Sequence, residues 1–318
     1  MTWLWLVGGL VVLVGGGELL VQNASALALK ARISPLVVGL TIVAMGTSAP
    51  ELFASMQAAW NGDGSIAIGN VLGSNVANLG LALGLTAMAS PVAMKWVNLR
   101  LHWWVMLAAS VLFAVCVRDL RLTPTEGLVM LLGGVAYLGA QIAAAKTPSR
   151  DPDPAVEELL EEAGDASRPY PLLVGLLMVG CVGLFFGSEA FVRGASEVAL
   201  DWGVSTHVVG VTVVAFGTSV PEIVASLTAA IKGNSALSIG NLVGSNILNI
   251  FLVLGATSEF GVLRVAPTVP GHDVWWMLGA AVLLAPLMWL GKGSIGRVAG
   301  ALYVGIYVVY VWVVVANG

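Results

Sequence analysis

The chain has 318 residues, of which 58% are hydrophobic and only 10% charged, with a formal net charge of −4 and a mean hydropathy of +0.92. An ordinary soluble domain carries roughly 25% charged residues, so this chain has too little polar surface to cover a core in water and no basic surface for a polyanion. A soluble enzyme, a nucleic-acid-binding protein and a disordered chain are excluded, and a polytopic membrane protein remains.

A hydrocarbon core of about 30 Å takes about 20 apolar residues per helix. Ten segments meet or approach that length, near 3–22, 35–60, 65–88, 102–117, 124–145, 171–192, 206–231, 235–258, 272–290 and 297–316. Strand alternation is absent, so a β-barrel is not expected. The expected fold is an all-α polytopic membrane protein of ten transmembrane helices. The first span begins at Trp3 with no basic residue before it and no clear small-residue cleavage site, and reads as a retained helix. It carries Glu18.

The second span contains Ala44-Met45-Gly46-Thr47-Ser48-Ala49-Pro50-Glu51 in the middle of a long apolar run. Proline removes a backbone donor and clashes with the carbonyl four residues back, and glycine loosens the same turn. The helix is therefore expected to break at mid-depth and free carbonyls around Ala44–Thr47. Free carbonyls there are tolerated only where protein or a filled cavity satisfies them, and a cation accepts them as ligands. Glu51 lies at the same depth. The third span presents Asn70, Ser74 and Asn78 at i, i+4 and i+8, one helical face. Gly69 and Gly73 form a GxxxG pair, which signals close helix packing.

The fourth span is short. The fifth leads into a linker, about 146–170, with seven of the eighteen acidic residues: Asp151, Asp153, Glu157, Glu158, Glu161, Glu162 and Asp165. It reads as a solvated loop with a short helix over Val156–Glu162. It lacks the ligand spacing and glycine turn of an EF-hand. The expected division is a first repeat over 1–145, the linker over 146–170, and a second repeat over 171–318.

The sixth span carries Glu189, four residues before Arg193, a spacing that allows a local ion pair. The seventh contains Ala215-Phe216-Gly217-Thr218-Ser219-Val220-Pro221-Glu222, and the eighth presents Asn241, Ser245 and Asn249 on one face. Tryptophans such as Trp3, Trp5, Trp103, Trp104, Trp275 and Trp276 suit an interfacial belt. Cys116 and Cys181 lie in apolar runs and read as small hydrophobes. His102, His207 and His272 fall at predicted span ends, and no Ser/His, Cys/His or HExxH arrangement supports an intramembrane enzyme.

Shifted by 171 residues, the sequence matches itself. From Glu18 on Glu189 to Gly84 on Gly255 the match is ungapped, with about half the positions identical. Five spans per unit, an odd number, means the second unit inserts upside down. Inverted repeats are a mark of secondary transporters, with the site near the midplane at the repeat interface. Duplication kept for packing alone is the plainer reading, but the most similar stretches are polar. Lys30, Arg32, Lys95, Arg100, Lys146, Arg150, Arg168, Lys232, Lys292 and Arg297 fall in one set of loops; Arg118, Arg121 and Arg264 fall in the other. The basic set is expected to face the cytoplasm, with both termini outside.

Glu51 and Glu222, set facing each other in a bilayer, would persist charged only with a cation between them, or uncharged with protons. Ca²⁺ takes about six to eight oxygens, whereas softer metals want His or Cys, and no His lies in the matched blocks. Hydroxyl and amide oxygens also suit Na⁺. The alternative for the polar faces is interhelical hydrogen bonding alone.

The paired GTSAPE and GTSVPE blocks, each followed by GNVLGSN or GNLVGSN, resemble the α-repeats of the cation/calcium exchanger superfamily. The likeness is greatest to its sodium/calcium exchanger branch and covers both halves. Proton-coupled members carry a GN-x-x-E type block instead. The resemblance implies a diamond of four sites formed by the second, third, seventh and eighth spans. In it Glu51 and Glu222 bind Ca²⁺ with the carbonyls of Thr47 and Thr218. Ser48, Ser74, Ser219 and Ser245, with the carbonyls of Ala44 and Ala215, line Na⁺ sites shared with the glutamates, and Asn78 and Asn249 complete the diamond. Some relatives, the potassium-dependent ones included, have Asp where this chain has Asn249, which argues against potassium dependence. The family also implies that the first and sixth spans slide across the core. The expected function is thus Na⁺/Ca²⁺ antiport in the plasma membrane, with cation/H⁺ antiport through the same glutamates as the alternative. No enzymatic activity, cofactor, nucleic acid or obligatory protein partner is expected, only the two ions and the bilayer.

Overall fold

The computed structural model describes residues 2–145, 168–203 and 217–317. All but the last three residues of the expected linker, with its helix over Val156–Glu162, lie outside this set, as do Ala215 and His207. Within it the chain is an all-α polytopic membrane protein. Its helices are α1 (Thr2–Ala31), α2 (Pro35–Thr47), α3 (Ala49–Trp60), α4 (Gly64–Ala89), α5 (Trp96–Asp119), α6 (Pro124–Ala145), α7 (Tyr170–Asp201), α8 (Val220–Ile231), α9 (Ser235–Ser258), α10 (Val269–Leu290) and α11 (Arg297–Asn317). Among the described residues eight helices are long and apolar enough to cross a bilayer, and α2 with α3 makes a ninth, bent by 44°. The expected seventh span is described only from residue 217, so α8 by itself is short.

Several helices outrun their expected bounds. At about 1.5 Å per residue, α1 with 30 residues and α7 with 32 exceed the thickness of a hydrocarbon core, a mismatch that tilt absorbs. In α1 the extension opens on Asn23, which folds its amide back onto the Leu19 carbonyl at 2.7 Å and so stays in the helix. The short fourth span is corrected to α5, which begins at Trp96. Its first two turns hold Asn98 and Arg100, polar residues that mask the start of a helix in a hydropathy window.

α1 and α7 lie antiparallel along their lengths. A Cβ on Gly187 would sit 2.7 Å from the Leu13 backbone nitrogen, and one on Gly180 2.7 Å from that of Leu20, so the seam is built on backbone contact. Cation–aromatic contacts close both ends: Arg193 stands 4.7 Å from the Trp5 ring centroid and Lys30 5.1 Å from that of Tyr170.

Two short ladders tie the remaining helices. β1 (Val92–Ala93) pairs antiparallel with β4 (Ser294–Ile295), in register Val92↔Ile295. β2 (Arg121–Leu122) pairs with β3 (Leu263–Arg264), in register Leu122↔Leu263. β1 precedes α5 and β2 follows it; β3 precedes α10 and β4 follows it. The two ladders thus sit at opposite ends of α5 and α10, which run antiparallel. Trp103 on α5 donates its indole N–H to the Ala281 carbonyl of α10 at 2.7 Å. Trp103 is buried, contrary to a place in an interfacial belt, whereas Trp3, Trp104 and Trp275 are exposed. At the 171-residue shift α1 matches α7 and α5 matches α10, so both pairs of counterparts run antiparallel. The centre is α4 and α9, the two most enclosed spans, flanked by α2, α3 and α8.

Candidate ion-binding site

The break falls where the motif placed it. α2 ends at Thr47, Ser48 leaves helical geometry with φ −83° and ψ 5°, and α3 starts with Pro50 in its second position. Pro50 has no N–H to give the Gly46 carbonyl. In the other half Ser219, with φ −88° and ψ −2°, precedes α8, which starts with Pro221 in its second position. Glu51 and Glu222 each occupy the third position of their helix, where the N-terminal backbone dipoles favour negative charge. Opposite them, the π-helical turns Asn78–Leu83 within α4 and Asn249–Leu254 within α9 begin at the two matched asparagines, a distortion that recurs at functional sites.

The two halves are stitched together by matched hydrogen bonds. The Thr47 hydroxyl donates to Asn241 Oδ1 at 3.0 Å and lies 3.5 Å from Ser245 Oγ. Its counterpart Thr218 donates to Asn70 Oδ1 at 3.3 Å and lies 3.4 Å from Ser74 Oγ. Asn241 and Asn70 are held in turn, donating to Ser226 Oγ at 2.9 Å and Ser55 Oγ at 3.0 Å. Asn70 also donates to the Glu51 carbonyl at 3.3 Å. The Ser48 hydroxyl donates to Glu222 Oε1 at 3.0 Å, and that of Ser245 to the same oxygen at 3.4 Å.

Glu51 and Glu222 are both 0% exposed, and Ser48, three residues before Glu51, reaches Glu222 Oε1. Both oxygens of Glu51, Oε2 of Glu222, Oδ1 of Asn249, the Ser219 hydroxyl and the whole Asn78 amide are buried without a hydrogen-bond partner among the described residues. A buried carboxylate without donors is costly, and so many unpartnered oxygens in one place fit a cation. The donor set of carboxylate, hydroxyl, amide and carbonyl oxygens suits a hard cation. Among the described residues no group of three or more His, Cys, Asp or Glu forms a softer metal site.

Of the expected site residues, Glu222, Thr47, Ser48 and Ser245 are joined in one set of these bonds, and Thr218, Ser74 and the main-chain carbonyl of Glu51 in another, while Ser219, Asn78, Asn249 and Ala44 are buried on the same segments. Ala215 lies outside the described residues. Asn75 and Asn246, each next to a stripe serine, were not anticipated: they stand one residue off the i, i+4 stripe, and only their identity across the repeat marks them. Two further expectations are corrected. Arg193 pairs forward with Glu197 at 3.3 Å, not back with Glu189, because its guanidinium is stacked on Trp5. His102 is buried within α5, with Nδ1 3.1 Å from the Tyr137 hydroxyl, and not at a span end, because α5 begins six residues earlier.

Comparison with known proteins gives a concordant result. The family model described as sodium/calcium exchanger protein matches residues 1–143 and 172–316. The sodium/calcium exchanger MaX1 of Methanosarcina acetivorans is 32% identical over 348 aligned residues, covering 98% of this chain and 97% of the relative. The inner membrane protein YrbG of Escherichia coli is 30% identical over 307, covering 96% and 94%. Among solved structures, the sodium-calcium exchanger NCX_Mj soaked with zero Na⁺ and Ca²⁺ superposes with a TM-score of 0.82 at 30% identity, covering 98% of each chain. A match over both halves, the buried glutamate pair and the antiparallel counterparts lead to one assignment: this chain belongs to the sodium/calcium exchanger family, as a multi-pass membrane antiporter of cations.

Proposed function

We propose that this chain exchanges Na⁺ for Ca²⁺ by alternating access at one shared site near the midplane. The observation that carries the reading is the pair Glu51 and Glu222, fully buried, with three of their four oxygens lacking a donor among the described residues. A divalent ion between two carboxylates is formally neutral, and sodium ions can replace it, so occupancy by one kind excludes the other. Ca²⁺ would be held by Glu51 and Glu222 with the carbonyls of Thr47 and Thr218. Na⁺ would lie among Ser48, Ser74, Ser219 and Ser245 with the carbonyls of Ala44 and Ala215, with Asn78 and Asn249 completing the ring. Two bare carboxylates are costly to carry through an occluded state, which couples the two fluxes.

The scaffold for this exchange is two inverted five-helix repeats, over 1–145 and 171–318. The reading is supported by the antiparallel counterparts α1 with α7 and α5 with α10, and by the ladders at their ends. The pair α1 with α7, bound to itself along a glycine seam, would slide as a unit across the core. The membrane proposed is the plasma membrane, and the excess of Lys and Arg in one set of loops supports an orientation with both termini outside.

A proton would neutralise either carboxylate as a cation does, so exchange for H⁺ is the second reading. The test is ⁴⁵Ca²⁺ uptake into proteoliposomes under imposed Na⁺, K⁺ and H⁺ gradients in turn. Uptake driven by Na⁺ alone, abolished by Glu51→Gln or Glu222→Gln, is the expected result. Uptake driven by a pH step without Na⁺ would establish the second reading. Retained transport in both variants would overturn the site.

A further inference from the structure

Asn75 stands outside the ring of expected ligands, yet its side chain reaches the ring through a chain of bonds with only one consistent direction. Its Nδ2 donates to the Asn246 main-chain carbonyl at 3.3 Å and lies 3.7 Å from Met277 Sδ. A carbonyl oxygen only accepts, so Asn75 must turn its amide nitrogen that way. Its Oδ1 then faces Asn249, and an amide oxygen only accepts as well. Asn249 must therefore present Nδ2, and does so at 3.1 Å. The remaining Asn249 atom, Oδ1, is left buried and without a donor among the described residues. Asn75 is 2% exposed and Asn249 0%, so water does not compete for these bonds.

We propose that Asn75 is a positioning residue for the ion site, which fixes the Asn249 amide so that its oxygen, not its nitrogen, is the atom offered to the cation. The proposal rests on the ion-site reading above. The two ends of an amide have opposite polarity, so a flipped Asn249 would repel the ion it is meant to hold. The mirrored relay is not made among the described residues: Asn246, the counterpart of Asn75, and Asn78, the counterpart of Asn249, have no partner there for either side-chain atom. The two ring asparagines thus differ, Asn249 being locked and Asn78 unpinned. A carboxylate at position 249 would meet the Asn75 oxygen with no hydrogen to share, which couples the identities of the two positions.

The test uses the full chain in two assays, Ca²⁺ titration calorimetry in detergent and the KM for Na⁺-driven ⁴⁵Ca²⁺ uptake in proteoliposomes. Asn75→Leu keeps the branched shape but removes the acceptor, and Asn75→Ser provides a smaller variant should leucine prevent folding. Loss of one such bond should weaken Ca²⁺ binding and raise KM about three- to ten-fold, with the maximal rate within about two-fold. Asn249→Ala should give a similar loss, and the double variant Asn75→Leu with Asn249→Ala should bind no worse than Asn249→Ala alone, since coupled residues do not add. Wild-type affinity in both Asn75 variants, or losses that add in the double variant, would overturn the proposal. Glu51→Gln separates the two ideas: if it keeps Ca²⁺ binding the site reading fails, and if it abolishes binding while the Asn75 variants match wild type only the positioning role fails.

Discussion

Thr47 and Asn241, 194 residues apart, meet through a 3.0 Å hydrogen bond from hydroxyl to amide oxygen, which pins the break in one helix to the polar face of a helix from the other half. The bond separates two roles of Thr47. Its carbonyl is an expected ion ligand, whereas its hydroxyl is spent on Asn241. Ser48 does similar work one residue on, holding Glu222 Oε1, while its counterpart Ser219 has no partner. The two halves thus match in their threonine and asparagine bonds but differ at this pair of serines.

Thr47→Val therefore removes a structural bond and leaves the carbonyl in place. The Asn241 oxygen would be buried without a donor, at a cost of about 1–3 kcal/mol. Thermal melting in detergent should show that loss, with the KM for Ca²⁺ changed less than about three-fold. Thr218→Val should cost less, since its bond to Asn70 is longer at 3.3 Å. A KM raised by orders of magnitude with unchanged melting would make the hydroxyl a ligand instead.

Ion binding should also stabilise the fold. A ligand that binds only the native state at 100 times its Kd adds about 2.7 kcal/mol, so Ca²⁺ should raise the melting temperature in detergent and a chelator should reverse it. Both Glu51 oxygens lack a donor, so Glu51→Gln, which places N–H groups where the cation is expected, should erase the shift. A Ca²⁺-dependent rise that survives in Glu51→Gln would place the ion elsewhere.

Much of this was legible in the residues. Pro50 and Pro221 announce both breaks, and Glu51 and Glu222 stand out because charge at mid-membrane is expensive. The rest was hidden for identifiable reasons. Asn98 and Arg100 lower the hydropathy of the first turns of α5, so its true start at Trp96 could not be read. Arg193 has an acidic residue four positions away on either side, and only the Trp5 ring, from a helix nearly two hundred residues back in the chain, decides for Glu197. Asn75 is invisible to helical periodicity because its importance lies in what α9 presents to it.

The outer pair of long helices is fastened to the core on one side by polar contacts. Lys232 Nζ lies 2.9 Å from Glu18 Oε1, and Asn234 donates to Ser25 Oγ at 3.0 Å. The positions matching Lys232 and Asn234 in the first half are Asn61 and Asp63, neither of which carries a cation for Glu189. If α1 and α7 slide, this one-sided tie favours one end state. Both charged groups are partly exposed, so solvent screens the tie and it is weak. Lys232→Ala should change the maximal exchange rate by about two-fold and leave the KM for Ca²⁺ unaltered. A shifted KM at constant maximal rate would place Lys232 in ion binding and remove its role as a tie.

Close approach at the centre sets the last constraint. A Cβ on Gly244 would sit 2.7 Å from Leu40 Cα and 2.8 Å from the Leu40 carbonyl oxygen, and one on Gly240 2.7 Å from the Leu36 carbonyl oxygen. α9 therefore lies backbone to backbone against α2, about two to three turns before the break, and this contact sets how far Ser245 stands from Thr47. Gly244→Val overfills a contact with no flexible side chain to yield. It should cost about 1–3 kcal/mol in stability and, by driving α9 away from α2, lengthen the Thr47–Asn241 bond. Melting in detergent with and without Ca²⁺ reads both effects: a lowered melting temperature together with a smaller Ca²⁺ shift is expected. A lowered melting temperature with the full Ca²⁺ shift would mean that the site keeps its geometry without this contact, and that α2 is positioned by its other neighbours.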